Sequence, residues 1–335
     1  MRLRLEKKVQ HQAELGEWWQ VSFHEKIEIW LGDLSKPGLG LQEDHRHRLF
    51  GNRDIDGVDG IIHNGARVNW LDDYEDLEAV NVHSTADILS GLSGMRIPCQ
   101  LIYVSGGYLS PSQETHASIA KRLAPASGYD QTKFMSELLV NEYNQHLHRQ
   151  GSSAPRARTV IPGFIVGTRE EGIAHTEDFL WRFVYSIVRL RAIIEELGHL
   201  TVAGVDQVSE LVSNVLFYPN DYESDPLTCL DGISASALCD IVSEKLNIPI
   251  TRIRHDQWMQ ILRRNIENAE VDHPFSPVMQ WFDENMWTEN SLFLTSEISA
   301  AIEKSLEYMT LVGYLSTEKG DPNLKVDQTG VFRRS

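Results

Sequence analysis

The chain has 335 residues, 41% of them hydrophobic, and a formal net charge of −17. That length suits one large α/β domain with an appended lobe, or two domains, and the apolar content suffices for a normal core, which excludes bulk disorder. The acidic balance argues against nucleic acid or an anionic membrane as the main partner, since both need a basic face. No run of about 18 or more apolar residues offers a transmembrane helix. The start, Met1-Arg2-Leu3-Arg4-Leu5, lacks the apolar core of a secretory signal. Cys99, Cys229 and Cys239 are an odd, scattered set without zinc spacing, as expected of reduced thiols in a cytoplasmic protein. With no H-x-x-x-H pair either, no metal is expected.

In chain order, residues 5–20 read as a charged amphipathic helix, and Lys26–Leu31 alternates as a strand ending at Gly32-Asp33-Leu34. Residues 41–53 read as a polar helix with His45 and His47 on a solvated face. Gly60–His63 is a short apolar strand closing on Asn64-Gly65-Ala66, and residues 75–91 carry a helical pattern. Gln100–Ser105 has no polar face at its centre, as a parallel strand covered on both sides requires. Gly106-Gly107 ends it, a loop is expected to Ser127, and a helix then runs to about Gln150. Arg158–Ile161 is a strand entering Pro162-Gly163.

Strands thus alternate with helices through residue 165, with turn signals at the strands' carboxyl ends. That pattern predicts a doubly wound, Rossmann-like parallel sheet, in which ligands bind outside those ends. Beyond residue 170 the pattern predicts a long aromatic-rich helix over 176–196, helices over 207–216, 234–246, 256–268 and 294–309, and a short strand at Leu227–Leu230. This half reads as a small, mostly helical lobe. Trp181, Phe183 and Tyr185 read as packing, and Arg252, Arg254, Arg263 and Arg264 as a basic cluster that equally fits docking of an acidic partner or a solvated surface. The expected organisation is a dinucleotide-binding region over 1–170, a substrate lobe over 171–320 of which about 198–232 joins the sheet, and a loose tail over 321–335.

The chemistry centres on Tyr129 and Lys133, four residues apart. On a helix that spacing puts phenol and ammonium on one face, about 6 Å apart along the axis. A nearby ammonium favours the phenolate and lowers the phenol pKa. Such a phenol can pass a proton to a carbonyl oxygen as hydride reaches its carbon. Glu137, one further turn along, reads as support for Lys133 or for the helix.

Several stretches together carry a family likeness: Gly32-Asp33-Leu34, the octapeptide His63-Asn64-Gly65-Ala66-Arg67-Val68-Asn69-Trp70 with Asn81-Val82 behind it, Tyr129-x-x-x-Lys133, Pro162-Gly163-Phe164-Ile165-Val166-Gly167, Asp178–Arg182 and Val205-Asp206. Over roughly residues 1–315 the chain resembles the terminal thioester reductase domains of non-ribosomal peptide synthetases and fungal polyketide synthase–peptide synthetase hybrids, members of the extended short-chain dehydrogenase/reductase superfamily. The resemblance implies an NADPH-dependent enzyme of secondary metabolism that reduces a thioester to an aldehyde or alcohol. Its partner would be an acyl or peptidyl carrier protein bearing the substrate on phosphopantetheine. It further implies that Asp33 and Leu34 border the adenine, and that Asn64, Gly65, Ala66 and Asn81 lie by the dinucleotide. Tyr129 would be the proton donor, and Lys133 its tuner and the holder of the nicotinamide ribose. Pro162, Gly163 and Ile165 would lie near the nicotinamide.

Two departures stand against that pattern. No glycine-rich strand–loop–helix opens the chain, so a first strand and helix are expected to be missing, with Arg2 or Arg4 as the reader of the 2′-phosphate. And Gly106 stands where the family has Ser or Thr. Ser105 is the candidate carbonyl donor in its place, although adjacent strand residues face opposite ways and a bulge at the glycines would be needed to turn it inward. These departures keep two other readings open, a redox-inactive release domain of Dieckmann type and a catalytically dead fragment.

Overall fold

The computed structural model describes residues 26–52, 54, 56–106, 116–152, 156–195, 197–222, 226–269, 273–279, 282, 294–316, 325–326 and 332–333. The expected helix over 5–20, Arg2, Arg4, Gly107 and most of the tail lie outside them. In chain order the main elements are α1 (Glu43–Phe50), β1 (Gly60–His63), α2 (Tyr74–Glu78), a π-helical turn (Ala79–His83), α3 (Ser84–Ser93), β2 (Gln100–Val104), α4 (His116–Leu123), α5 (Gly128–Arg149), β3 (Ala157–Pro162) and β4 (Phe164–Val166). There follow α6 (Phe179–Leu190), β5 (Ala192–Ile194), β6 (His199–Gly204), α7 (Val205–Phe217), β7 (Leu227–Cys229), β8 (Asp231–Ser234), α8 (Ala235–Leu246), β9 (Thr251–Ile253), α9 (His255–Glu267) and α10 (Ser296–Leu311).

The chain divides into two compact units. Among the described residues the first takes 26–162 and 209–229, and the second 163–208 and 230 onward. The first unit holds a four-stranded sheet in the order β1-β2-β3-β7, every pair parallel. Leu101, Ile102 and Tyr103 of β2 are all within 1% of full burial, because this central strand is covered on both faces. α5 packs Phe134 and Val140 inward, and α3 adds Ile88, Leu89 and Leu92 to a core shared with Leu101 and Tyr103. This is the doubly wound α/β arrangement that the alternating pattern predicts.

Three local expectations are overturned. Lys26–Leu31 forms no strand among the described residues. A strand needs a ladder partner, and this segment instead packs side chains on α1. Trp30 stacks on His45 with ring centroids 4.8 Å apart, and Arg48 lies 4.8 Å over the Trp30 ring and pairs with Glu28. His45 is therefore a packed ring rather than a solvated one. The segment before Ser127, expected as loop, contains α4. And the long helix over 176–196 stops at Leu190, where Arg191 turns left-handed (φ 53°) and Ala192–Ile194 pairs in parallel with β9. A partner about 60 residues later in the chain decides that break, and no local signal announces it.

The second unit is mostly helical and also carries strands. Besides the β5–β9 pair it holds the sheet β4-β6-β8. Its core is aromatic: Phe179, Phe183, Trp258, Phe275 and Phe282 interlock with centroids 5.5–6.4 Å apart, and the Trp258 indole donates to the Ala192 carbonyl at 3.0 Å. Trp181 and Phe183 are fully buried in it. Arg252 and Arg254 of the basic cluster pair with Asp240 and Asp256. No helix among the described residues is long and apolar enough to cross a membrane.

Candidate active site

The site lies where the carboxyl end of β2 meets the first three turns of α5. Ser127 caps α5, its Oγ accepting the Asp130 amide at 3.1 Å and donating to the Asp130 carboxylate at 2.7 Å. Gly128 follows because nothing larger fits. A Cβ there would sit 2.5–2.6 Å from the backbone of Asp72, Asp73 and Tyr74. Tyr129, Lys133 and Glu137 then recur every fourth residue on one face, all at least 94% buried.

Three consecutive residues of the strand end meet these three side chains. The Val104 carbonyl accepts from Lys133 Nζ at 2.8 Å. Ser105 Oγ donates to Glu137 Oε1 at 2.5 Å. At Gly106, a Cβ would lie 3.0 Å from the Tyr129 hydroxyl. So the position whose side chain would face the phenol is the glycine, and the serine beside it points to the helix core. The Ser105 amide still donates to the Val160 carbonyl at 2.9 Å, so the ladder to β3 continues without a bulge there. Trp70 closes on Tyr129 edge-to-face, with centroids 4.9 Å apart.

Electrostatics follow burial. Lys133, 3% exposed, is pushed down to about 8, chiefly by desolvation, with Glu137 pulling the other way. Its ammonium also lies 4.5 Å from the centroid of the Tyr103 ring, a cation–π contact. His63 is lowered to about 4, first by burial and then by the Lys133 charge, and is neutral at physiological pH. It packs against Tyr103 and its Nε2 meets Thr85 Oγ1 at 3.2 Å, the position of a packed strand residue.

The other sequence candidates fall into three groups. Asn64 and Gly65 are exposed and Ala66 is half-buried just past β1, and a Cβ on Gly65 would come within 2.8 Å of Leu34 Cδ1. Asn81, in the π-helical turn, is 2% exposed and pins the loop after Ala66: it accepts from the Arg67 amide at 2.8 Å and donates to the Arg67 carbonyl at 3.1 Å and Thr132 Oγ1 at 3.0 Å. The Asp33 carboxylate is held below the usual range by the Ser35 hydroxyl (2.6 Å) and amide (3.0 Å), closing a tight turn. Pro162 ends β3 in the first unit, while Gly163 and Ile165 belong to the second, where Gly163 runs against the β6 backbone and Ile165 pairs with Ala203.

These features fit a nicotinamide dinucleotide. Asn64 and Gly65 are exposed, so a ligand can approach the end of β1, and Gly106 sets backbone without a side chain beside the Tyr129 hydroxyl. Two contributors escape a sequence reading, and a third, Glu137, reads in the sequence only as support for Lys133 or the helix. Gly128 is needed for a close approach 54–56 residues back in the chain, Thr132 for its bond to Asn81, and Glu137 for its bond to Ser105. The only sequence signal for Glu137 is its i+4 place after Lys133.

Comparison with known proteins identifies the family and the fold. Residues 2–212 match the NAD-binding family described as Male sterility protein. Nonribosomal peptide synthetase 5 of Gibberella zeae is 29% identical over 94% of this chain, and N-benzoylphenylalaninol synthetase apmA of Penicillium brevicompactum is 30% identical over 98% of it. The chain spans only 3% and 14% of the lengths of those two proteins. Among solved structures, the PhqB reductase domain from Penicillium fellutanum is 26% identical with a TM-score of 0.75, covering 94% of this chain and 83% of that one. The terminal R domain of the myxalamid PKS-NRPS pathway shares the fold, with a TM-score of 0.72 at 21% identity over 91% of this chain and 80% of that one.

Proposed function

The chain belongs to this NAD-binding family and is an oxidoreductase of the short-chain type, and from that premise we propose that it is an NADPH-dependent reductase releasing a carrier-tethered thioester as aldehyde or alcohol in secondary-metabolite synthesis. The observation that carries the reading is the buried Tyr129–Lys133 pair, with the phenol facing Gly106 and the ammonium tied to the Val104 carbonyl. When bound, NADPH supplies the hydride. Tyr129 gives its hydroxyl proton to the substrate oxygen as charge develops there, and Lys133 stabilises the tyrosinate left behind. Asn81 holds the 64–70 loop in place for the cofactor, and Trp70 fixes the ring of Tyr129. In the same proposal residues 1–170 carry the cofactor and 171–320 receive the substrate from an acyl or peptidyl carrier protein. The likeness to Nonribosomal peptide synthetase 5 supports that partner.

The test is NADPH binding to the purified chain by fluorescence or calorimetry, followed by NADPH oxidation with a small acyl thioester. Binding, turnover, and loss of turnover in Tyr129→Phe are expected. No binding by folded protein at high cofactor concentration would sink the proposal, and unchanged turnover in Tyr129→Phe would remove the catalytic assignment. One observation favours a second reading, redox-inactive Dieckmann-type release: Gly106 brings no hydroxyl to the phenol. Thioester consumption without NADPH oxidation would select it.

A further inference from the structure

We propose that Glu137 is a positioning residue of this centre: it holds the Ser105 hydroxyl and sets the charge of Lys133, leaving Tyr129, among the described residues, as the proton donor to the reacting oxygen. The inference rests on the reductase reading above and specifies how its site is built.

The argument starts from proton counting. A serine hydroxyl has one proton to give. In Ser105 it goes to Glu137 Oε1 at 2.5 Å, a short, charge-assisted bond at a carboxyl group that is 2% exposed. Ser105 therefore has no proton left for a substrate carbonyl, and Gly106 has no side chain to replace it. The second consequence concerns Lys133. A buried ammonium is costly unless an opposite charge compensates it. Glu137, one turn along the same helix face, is the charge that pulls Lys133 back toward its protonated form against desolvation. The other titratable groups facing the pair are Tyr129 on the same helix, Tyr103 on β2 and His63 on β1. His63 is neutral above about pH 4, and burial raises Tyr103 above its ordinary value. Of these groups, Glu137 is the one whose charge raises Lys133 against its desolvation. Residues 104, 105 and 106 each face a different turn of α5, and the Glu137 carboxylate makes the middle one of those three contacts, between the ones made by the ammonium and the phenol.

The experiment compares Glu137→Gln, Glu137→Asp and Ser105→Ala in the full chain, by the pH profile of kcat/KM for thioester-dependent NADPH oxidation and by the urea midpoint from pH 6 to 10. With its compensating charge gone, Lys133 loses its proton at lower pH. The alkaline limb in Glu137→Gln should move down by about one pH unit, with kcat/KM at pH 8 falling about fivefold. Glu137→Asp keeps the charge and should restore the limb. Ser105→Ala removes the hydroxyl but no charge and should leave the limb in place. The urea midpoint, which needs no activity, should begin its alkaline rise near pH 8 in the wild type and about one unit lower in Glu137→Gln. Superimposable profiles for wild type and Glu137→Gln would overturn the proposal, as would an equal shift in Ser105→Ala. If the wild type oxidises no NADPH, the reductase reading falls. The urea profile then still decides the role of Glu137, a shift supporting it and no shift refuting it.

Discussion

Replacing Gly128 by alanine tests whether the start of α5 is seated as tightly as the geometry requires. The added methyl would fall 2.5 Å from the Asp72 carbonyl oxygen, 2.5 Å from the Asp73 carbonyl carbon and 2.6 Å from the Tyr74 amide nitrogen. All three are backbone atoms, so no side chain can rotate away, and either the 72–74 segment or the first turn of α5 must move. Overpacking of this kind costs about 1–3 kcal/mol. Against it stands the better helix propensity of alanine, at most about 1 kcal/mol and less in a first turn. The clash wins, and Gly128→Ala should lose about 1–2 kcal/mol, or several degrees in Tm at roughly 2–4 °C per kcal/mol for a chain of this size. The 72–74 segment follows Trp70, which packs on Tyr129, and the first turn of α5 carries Tyr129 itself, so either movement disturbs the phenol. Reductase turnover at a temperature where both proteins are folded should therefore drop by about tenfold or more, since small misplacements are costly in positioned catalysis. Calorimetry and NADPH oxidation measure both effects. A Tm equal to or above that of the wild type would show that the close approach is not real.

Gly106→Ser places a hydroxyl beside the phenol, where a Cβ already lies 3.0 Å from the Tyr129 oxygen. If carbonyl stabilisation limits turnover, kcat should rise, by as much as about 10²-fold for one well-placed donor, and a kcat at or below wild type would count against that limit. Asn81→Ala strips three hydrogen bonds from Arg67 and Thr132 and should cost about 2–3 kcal/mol in urea unfolding; a cost below half a kcal/mol would mean that the 64–70 loop is held otherwise. His63, at about 4 when folded and 6.5 when not, takes up its proton in the unfolded chain first, so stability should fall as pH drops from about 6.5 to about 4. His63→Asn should remove about 3 kcal/mol of that fall, read as the difference between the two stability–pH curves, which also cancels the like contribution of His273. Asp178, pushed up to about 6 by burial, works the other way: the folded chain holds its proton longer, so Asp178→Asn should steepen the net gain in stability between about pH 4 and pH 6.

The fold class was legible in the sequence because its determinants are local. Uninterrupted apolar runs such as Leu101-Ile102-Tyr103 mark strands covered on both sides, and turn residues just after them mark the ends where ligands bind. The one-face arrangement of Tyr129 and Lys133 was legible for the same reason, since helical periodicity alone sets it. Three things were decided only by tertiary structure. Lys26–Leu31 has a strand pattern but forms no strand, because alternation creates two faces and not a ladder partner. Ala192–Ile194 leaves its helix for a strand supplied by Thr251–Ile253. And the fate of Ser105 turned on which face of β2 receives α5. Ser105 and Gly106 lie just past Val104, the last residue of β2, where strand alternation no longer fixes the faces, and only the docked helix determines that the serine meets Glu137 and the glycine meets the phenol. Backbone periodicity is encoded residue by residue, whereas the partner of a side chain depends on segments that meet only when the chain has folded.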